Sequence, residues 1–224
     1  DPARDGLNWY VYCENNPVRY VDPTGMWGKD IHYGAKDEEG NVWGTFFWAI
    51  DLGFSDMEAH IIADANYGVD FGLFSNPILP VAGQKYHFNT NPTGVDSRDV
   101  VAEQHLNQAI SLYVQAQEIK IKSRRFGVIG VGSPKDMITA SILETLALKH
   151  LGQGLHAIQD MYAHTDKYVY EVNILGVTIY HHLGPKGKEA DTSGFPESPN
   201  ERALKAESET RDYLTRFRMG VGLQ

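Results

Sequence analysis

The spacing of apolar and polar positions predicts that most of this chain is α-helical. The predicted helices span, in chain order, residues 44–54, about 56–67, 98–122, about 134–164 and about 201–217. Local signals mark three of the helix starts. Ser55 and Glu58 form a capping box, in which each side chain accepts a hydrogen bond from the other's backbone amide, and Ser-Pro pairs precede the last two helices. This pattern predicts a mainly α, multi-helix domain.

Two segments interrupt the helical pattern. Residues 71–97 begin with a run rich in glycine and proline, which predicts a loop. Residues 168–180 are β-branched and aromatic on both sides of Gly176, which predicts a small β-hairpin inserted late in the chain.

The first 26 residues have a different character from the rest. Turn signals at residues 15–17 (NNP) and 22–25 (DPTG) separate short apolar stretches. Such a segment fits either a leader or a short extended remnant of a larger, turn-rich β structure. We therefore predict two parts, a junction segment at residues 1–26 and the main domain at residues 27–224.

Composition narrows the classes of function. The chain has 20 lysines and arginines against 29 aspartates and glutamates, a formal net charge of −9. A general nucleic-acid binder needs cations to neutralise phosphates, so we expect no general nucleic-acid binding. The one cysteine, Cys13, excludes a disulfide framework. No apolar run approaches the roughly 20 residues of a membrane span, and no charged-then-apolar signal peptide opens the chain.

The nine histidines are the unusual part of the composition. His156, Asp160 and His164 are four residues apart in the fourth predicted helix, so they fall within about 80° of one another on one stripe. Two imidazoles and a carboxylate form half of a metal shell, and imidazole suits zinc. The alternative is a His–Asp pair satisfied within an apolar helix core, because an unpaired buried carboxylate is costly.

Further candidate ligands lie outside that helix. His32 stands near the start of the main domain, Asp70 follows the second helix, and His87 lies between two aromatic residues of the predicted loop. His182 and Asp191 follow the hairpin. Each of these, taken alone, is explained as well by a surface or turn position. Three other histidines are better explained without a metal: His60, His105 and His150.

Residues 5–26, DGLNWYVYCENNPVRYVDPTGM, closely resemble the junction at the end of an RHS-repeat core. There the pattern runs Asp…Gly-Leu-Asn-x-Tyr-x-Tyr…Asn-Pro…Asp-Pro-x-Gly-Leu, with Met26 here in place of the final leucine. The resemblance implies a polymorphic toxin of interbacterial competition, in which an RHS shell encloses a C-terminal effector and is cut after this motif. Arg4, Asp5 and Asp22 resemble the self-cleaving apparatus. The implied partners are the RHS shell and a cognate immunity protein, and the implied destination is a target cell.

Residues 27–224 resemble more weakly the zinc-dependent phospholipase C and zinc nuclease superfamily, whose members hold a three-zinc cluster in an all-helical fold. The order of the matching residues is His32, Asp70, His87, His156 with Asp160, then His164. His164 comes four residues after Asp160, where the family has six. The family's later His-x-x-x-Glu pair has no direct match, and His182 with Asp191 takes its place in this prediction.

The resemblance implies a zinc-dependent phosphodiesterase with two or three ions. Asp160 would bridge metals, and Asp70 would ligate zinc or orient the attacking water, so these two residues are the predicted catalytic groups. Phospholipid at a membrane surface is the favoured substrate, because a net charge of −9 opposes binding of a polyanion. The alternatives are a zinc nuclease toxin with the same ligands and a non-catalytic helical binding module.

Overall fold

The structure is a computed structural model that describes residues 29–72, 75, 84–87, 94–126, 133–163, 169–174, 177–182, 199 and 201–223. The predicted junction segment, residues 1–26, lies outside the described residues.

The described part of the chain is mainly α-helical, as predicted. Its helices are α1 (Lys29–His32), α2 (Thr45–Asp51), α3 (Asp56–Tyr67), α4 (Gln84–His87), α5 (Ser97–Phe126), α6 (Pro134–Ala163) and α7 (Glu201–Gly220). Two antiparallel hairpins accompany them, β1 (Ala35–Lys36) with β2 (Val42–Trp43) and β3 (Val169–Ile174) with β4 (Val177–His182). None of the helices within the described ranges combines the length and the apolar character needed to cross a membrane.

The helix starts follow the local signals of the sequence. At the start of α3 the Ser55 amide donates to Glu58 Oε2 at 2.8 Å, and the Glu58 amide donates to Ser55 Oγ at 3.4 Å. Helix α6 begins at Pro134, directly after Ser133. The predicted hairpin is confirmed as β3 and β4, in a register that places Val169 opposite His182.

The predicted loop at residues 71–97 contains more structure than expected. A turn of 3-10 helix, Gly68–Phe71, follows α3, and the single helical turn α4 lies in the middle of the predicted loop. Helix α1 and the β1–β2 pair were likewise not predicted. Elements of two to four residues are too short to show a period in the sequence, so the pattern of apolar positions carries no signal for them.

The core forms where α6 packs against α3, α5 and α7. Its large buried apolar side chains come from all four helices: Ile62, Leu106, Leu151, Leu155, Tyr213, Leu214 and Phe217. A second, smaller cluster joins Ile31, Trp43 and Trp48 to Ala163 at the end of α6. This second cluster holds the start of the described chain against the C-terminal half of α6, which carries His156 and Asp160.

Helices α3 and α6 approach each other closely at Gly152. A Cβ atom at this position would lie 2.2 Å from the carbonyl oxygen of Ile62 and 2.9 Å from the Cβ of Ala65. Because the nearest atom belongs to the backbone of α3, a side chain could be fitted only by moving the helix. The glycine therefore sets the spacing of α3 and α6 one turn before His156.

We expect Gly152→Ala to lower the free energy of unfolding by about 2–3 kcal/mol, since overpacking forces the two backbones apart. Gly68→Ala is the matched control, because a Cβ at Gly68 meets nothing within 4 Å and its φ of −67° suits any residue. The control should change the free energy by less than about 1 kcal/mol. Urea denaturation of the chelator-treated protein measures both. Equal stability of the two variants would contradict the close approach.

Candidate metal centre

Five side chains from four separate elements meet beside the C-terminal half of α6. Helix α1 supplies His32, the 3-10 turn after α3 supplies Asp70, and α4 supplies His87. Helix α6 supplies His156 and Asp160, which lie one turn apart on the same face. The three histidines and Asp160 are buried, and Asp70 is partly exposed.

The carboxylate of Asp160 lies at the middle of this group. Its Oδ2 is 2.8 Å from His87 Nδ1 and 3.3 Å from His156 Nε2, and its Oδ1 is 3.3 Å from His32 Nε2. Asp70 Oδ1 lies 3.6 Å from His156 Nε2 and 3.9 Å from His87 Nδ1. Two ligands of one tetrahedral zinc are separated by roughly 3.3 Å, given bonds near 2.0 Å. The spacing therefore matches that of atoms sharing an ion.

Two overlapping groups could each hold a metal ion. The first is His32, His156 and Asp160, and the second is Asp70, His87 and His156. Within each group the ligand atoms all lie within 4.8 Å of one another. Asp160 directs one oxygen toward His32 and the other toward His87 and His156, so each of its oxygens would face a ligand nitrogen if a metal were bound.

The hydrogen bonds of His156 and His87 leave the inward nitrogen of each ring without a proton when the ring is neutral. His156 Nδ1 is 3.1 Å from the carbonyl oxygen of Asn66, and His87 Nε2 is 2.9 Å from that of Ser75. A carbonyl oxygen only accepts, so the hydrogen of each ring is on the nitrogen that faces away from the centre. This is the arrangement that orients metal-binding histidines in proteins.

His32 is fixed in the same way by a side chain. Its Nδ1 donates to Gln159 Oε1 at 2.8 Å, which leaves Nε2 to face Asp160. The amide of Gln159 is itself held, because its Nε2 donates to the hydroxyls of Thr45 and Thr210, both at 2.9 Å. Asn66 Nδ2 donates to Gln159 Oε1 at 3.0 Å. All of these polar residues are buried.

The inward atoms are a set of acceptors that need a positive charge among them. His156 Nε2 and His87 Nδ1 are 3.1 Å apart, and the Asp160 carboxylate is close to both. Unprotonated nitrogens and a carboxylate repel one another at such distances in a buried site, where no water screens them. A proton or a metal ion placed among these atoms would remove the repulsion. The residues present therefore fit a metal ion.

The pKa values indicate where protons reside without a metal. Burial lowers the pKa of His32 and of His87, but the hydrogen bond to Asp160 and its charge outweigh burial and raise the pKa of both rings. Burial lowers the pKa of His156 by more than the charge of Asp160 raises it, and the charge of the nearby His32 lowers it further. A metal ion held by these residues would therefore compete with protons for His32 and His87.

A buried arginine links the His87 segment to α6. Arg98 Nη1 donates to the carbonyl oxygen of Asp160 at 3.1 Å and to that of His87 at 3.5 Å. Its Nη2 and Nε bind the carboxylate of Asp96, at 2.6 Å and 3.0 Å. Arg98 therefore holds two ligand-bearing backbones together while its charge is balanced by Asp96.

The sequence did not single out Arg98, Gln159, Asn66, Thr45 or Thr210 as residues of the site. Gln159 had one usable signal, because it is a polar residue beside Asp160 in an otherwise apolar helical stretch. An arginine at a helix start, or a threonine before an apolar run, has no feature that predicts burial.

For three of the eight predicted ligands, the structure does not describe the position of the side chain. His164 and Asp191 lie outside the described residues. His182 ends β4, where the structure describes its backbone pairing but not its side chain.

The other histidines make separate contacts. His105 and His150 face each other with their Nδ1 atoms 2.9 Å apart, and Tyr86 Oη is 3.0 Å from His105 Nε2. Burial lowers the pKa of His105 to about 4, so both rings of this pair are neutral near pH 7. His60 is exposed and bonds Tyr33 Oη at 2.7 Å.

Comparison of the chain with protein-family models, with curated proteins and with solved structures finds no match. Fold and site together define its class: a mainly helical protein in which three buried histidines, a buried aspartate and a partly exposed one could hold a metal ion.

Proposed function

We propose that this protein is a zinc-dependent phosphodiesterase of the phospholipase C type. The observation that carries the proposal is the convergence of three inward imidazole nitrogens, each with its outer nitrogen bound to a carbonyl or amide oxygen, on the carboxylates of Asp160 and Asp70. A polar interior of this kind is costly for a bundle that merely folds. A cation bound among these polar groups would offset that cost.

The donor set favours zinc among the common divalent cations. Three imidazoles with two carboxylates are borderline ligands that suit zinc, whereas magnesium and calcium take oxygen ligands. The two overlapping groups share the one inward nitrogen of His156, which can bind a single ion, so the described residues support one ion and the further ions stay proposed. His164, His182 and Asp191 remain proposed ligands for the rest of a cluster.

Zinc held by these residues would supply a binding site for phosphate, a bound water with its pKa lowered toward ~7, and stabilisation of the charge that builds during in-line attack. Asp160, which is buried among the three histidines, fixes the spacing of the ligands. The side chain of Asp70 is 18% exposed, against 3% for that of Asp160. Asp70 therefore lies on the side of the group that water can reach, where it can accept a proton or orient the attacking water.

We further propose that the substrate is membrane phospholipid and that the chain is the toxin part of an RHS protein. The net charge of −9 supports an uncharged or zwitterionic surface over a nucleic acid. Residues 5–26 support cleavage after Met26 from a shell, delivery to a target cell and protection of the producer by an immunity protein. The phospholipase C-like arrangement of helices belongs to the same proposal.

Incubation of the zinc-loaded chain with phosphatidylcholine vesicles tests the activity. We expect release of phosphocholine and diacylglycerol, and loss of that release when a chelator removes the metal. Single-stranded DNA is assayed in parallel. If DNA is cleaved and the lipid is not, the proposed activity would be that of a nuclease that uses the same metal ligands. If neither lipid nor DNA is cleaved, and the chain binds less than one zinc and stays folded in chelator, the result would favour a non-catalytic helical binding module.

A further inference from the structure

The first half of α6 exposes a stripe of large apolar side chains. Ile138 is 63% exposed, Ile142 55% and Leu146 41%. Residues four apart in a helix lie on one face, so the three side chains form a continuous strip along the helix. The buried residues of the same half-helix, Ala140, Ala147 and Leu148, lie more than about 90° away from the middle of the strip.

A lysine stands at each end of this strip. Lys135 precedes Ile138 by three residues, Lys149 follows Leu146 by three, and both lysines are exposed. At about 100° per residue, the five side chains lie within roughly 80° of one another. We call this set the outer face of α6, and its members are Lys135, Ile138, Ile142, Leu146 and Lys149.

The outer face carries no carboxylate. The acidic residues of this half-helix, Asp136 and Glu144, lie more than about 70° away around the helix. Glu144 is also occupied on another side, where its Oε1 accepts from Lys120 Nζ at 2.5 Å and from Gln117 Nε2 at 2.7 Å, both of α5. The outer face therefore combines apolar side chains with positive charge alone.

The neighbouring end of α5 is cationic as well. Residues 118–126 have four lysines and arginines against one acidic residue, and with Glu144, which pairs with Lys120, the formal charge of this group is +2 in a chain of −9. Within this stretch Lys122 and Arg124 are exposed. A local excess of positive charge in an acidic protein complements an anionic surface.

We propose that the outer face of α6 docks on a membrane surface that contains anionic phospholipid. The apolar side chains enter the boundary between headgroups and acyl chains, and the two lysine stems extend so that their ammonium groups meet headgroup phosphates. The proposal rests on the proposed function in one respect, that substrate and docking surface belong to the same membrane. Docking itself needs neither metal nor hydrolysis.

The charges oppose the most direct alternative, a second copy of the chain. If two outer faces paired in antiparallel orientation, Lys135 of each would meet Lys149 of the other. In parallel orientation each lysine would meet its own counterpart. Like charges face each other in both cases, which is unfavourable at an interface.

Sedimentation with vesicles tests docking on the full chain, with chelator present so that no lipid is hydrolysed. The vesicles are phosphatidylcholine alone and phosphatidylcholine mixed with phosphatidylglycerol. We expect binding to the mixed vesicles, and a loss of about tenfold or more for the double variant Ile138→Ser/Ile142→Ser. The matched control, Met57→Ser/Leu204→Ser, removes two apolar side chains that are 73% and 49% exposed elsewhere and should bind like the wild type.

The lysines are tested separately. Lys135→Gln and Lys149→Gln should each lower binding to the mixed vesicles about fivefold at low salt, and Lys36→Gln, an exposed lysine of β1, should not. Failure of the wild type to bind mixed vesicles, or equal binding by outer-face and control variants, would overturn the proposal. So would a wild-type dimer that the double variant converts to monomer, since the face would then be a self-interface.

The outcomes separate this inference from the proposed function. If the metal-loaded protein binds mixed vesicles but leaves their lipid intact, the docking proposal is supported and the proposed phospholipase activity is contradicted. If the double variant sediments with vesicles and hydrolyses them as the wild type does, the proposed phospholipase activity is supported and the docking proposal is contradicted.

Discussion

Asp160→Asn is expected to remove bound metal and to lower hydrolysis of phosphatidylcholine by at least about 1000-fold, because metal assistance supplies several kcal/mol of charge stabilisation. Asparagine keeps the size of the side chain but supplies one neutral oxygen in place of two that share a negative charge. The carboxylate oxygens it replaces lie within 3.3 Å of inward nitrogens of His32, His87 and His156. Mass spectrometry of the intact protein measures the metal, and phosphocholine release measures the activity.

Asp56→Asn is the matched control for this experiment. Asp56 also has a histidine partner one turn away, with its Oδ2 3.5 Å from His60 Nε2, but its side chain is 79% exposed. Metal content and activity should both match the wild type. Zinc should also raise the unfolding temperature of wild type and control but not that of Asp160→Asn, since an ion that binds only the folded state stabilises it. Full zinc occupancy in Asp160→Asn would show that the metal binds elsewhere.

Gln159→Leu is expected to reduce both stability and zinc affinity. Leucine leaves His32 Nδ1 and the hydroxyls of Thr45 and Thr210 without the partner they have in the native protein. Each lost partner of a buried polar group costs about 1–3 kcal/mol, so the free energy of unfolding should fall by about 3 kcal/mol or more. Loss of an orienting partner lowers metal affinity by about 10–100-fold. Urea denaturation in chelator and titration with zinc measure the two effects.

Two further variants show whether Gln159→Leu lowers zinc affinity because His32 loses its orientation or because the whole protein is less stable. Gln159→Glu keeps an oxygen that accepts from His32 Nδ1, so it should retain more zinc affinity than Gln159→Leu. Gln153→Leu changes the same residue type on the same helix at a partly exposed position and should leave zinc affinity unchanged. Equal zinc affinity in Gln159→Leu and the wild type would contradict the role of Gln159 as a positioning residue.

The interior of this bundle explains why a cation is expected in it. A helical protein of this size can fill its core with apolar side chains, as α5 and α7 do around Leu106 and Phe217. Near Asp160 the packing is instead ionisable and acceptor-rich, which costs free energy unless a charge is shared among the groups. The raised pKa values of His32 and His87 favour protons on these rings, and a metal ion could take their place.

Local patterns predicted the long helices and one pair of candidate ligands. His156 and Asp160 share a face because they are four residues apart in a helix, and the sequence displays that helix over about 30 residues. No local rule brings His32, Asp70 and His87 to that face. Their prediction came from a resemblance in the order of residues, and the structure brings all three to Asp160 or His156.

The support around the ligands could not be predicted, because it is made by contacts between distant parts of the chain. The bond from His32 to Gln159 spans 127 positions, and that from Gln159 to Thr45 spans 114. Such contacts depend on the relative placement of α1, α2 and α6, which is set by packing at Ile31, Trp48 and Ala163. A one-turn helix such as α4 packs against α5 and α6 and is too short to show a period in the sequence.

Because α6 is one uninterrupted helix from Pro134 to Ala163, its tilt on a bilayer would set the distance between the lipid and a metal ion held at Asp160. From Ile142 to Asp160 the helix rises by 18 residues, or about 27 Å. An upright α6 would lift the centre by that distance beyond the lipid phosphates. An α6 that lies along the plane of the bilayer would keep the centre at the height of the headgroups, so the proposed attack on phospholipid would require that orientation.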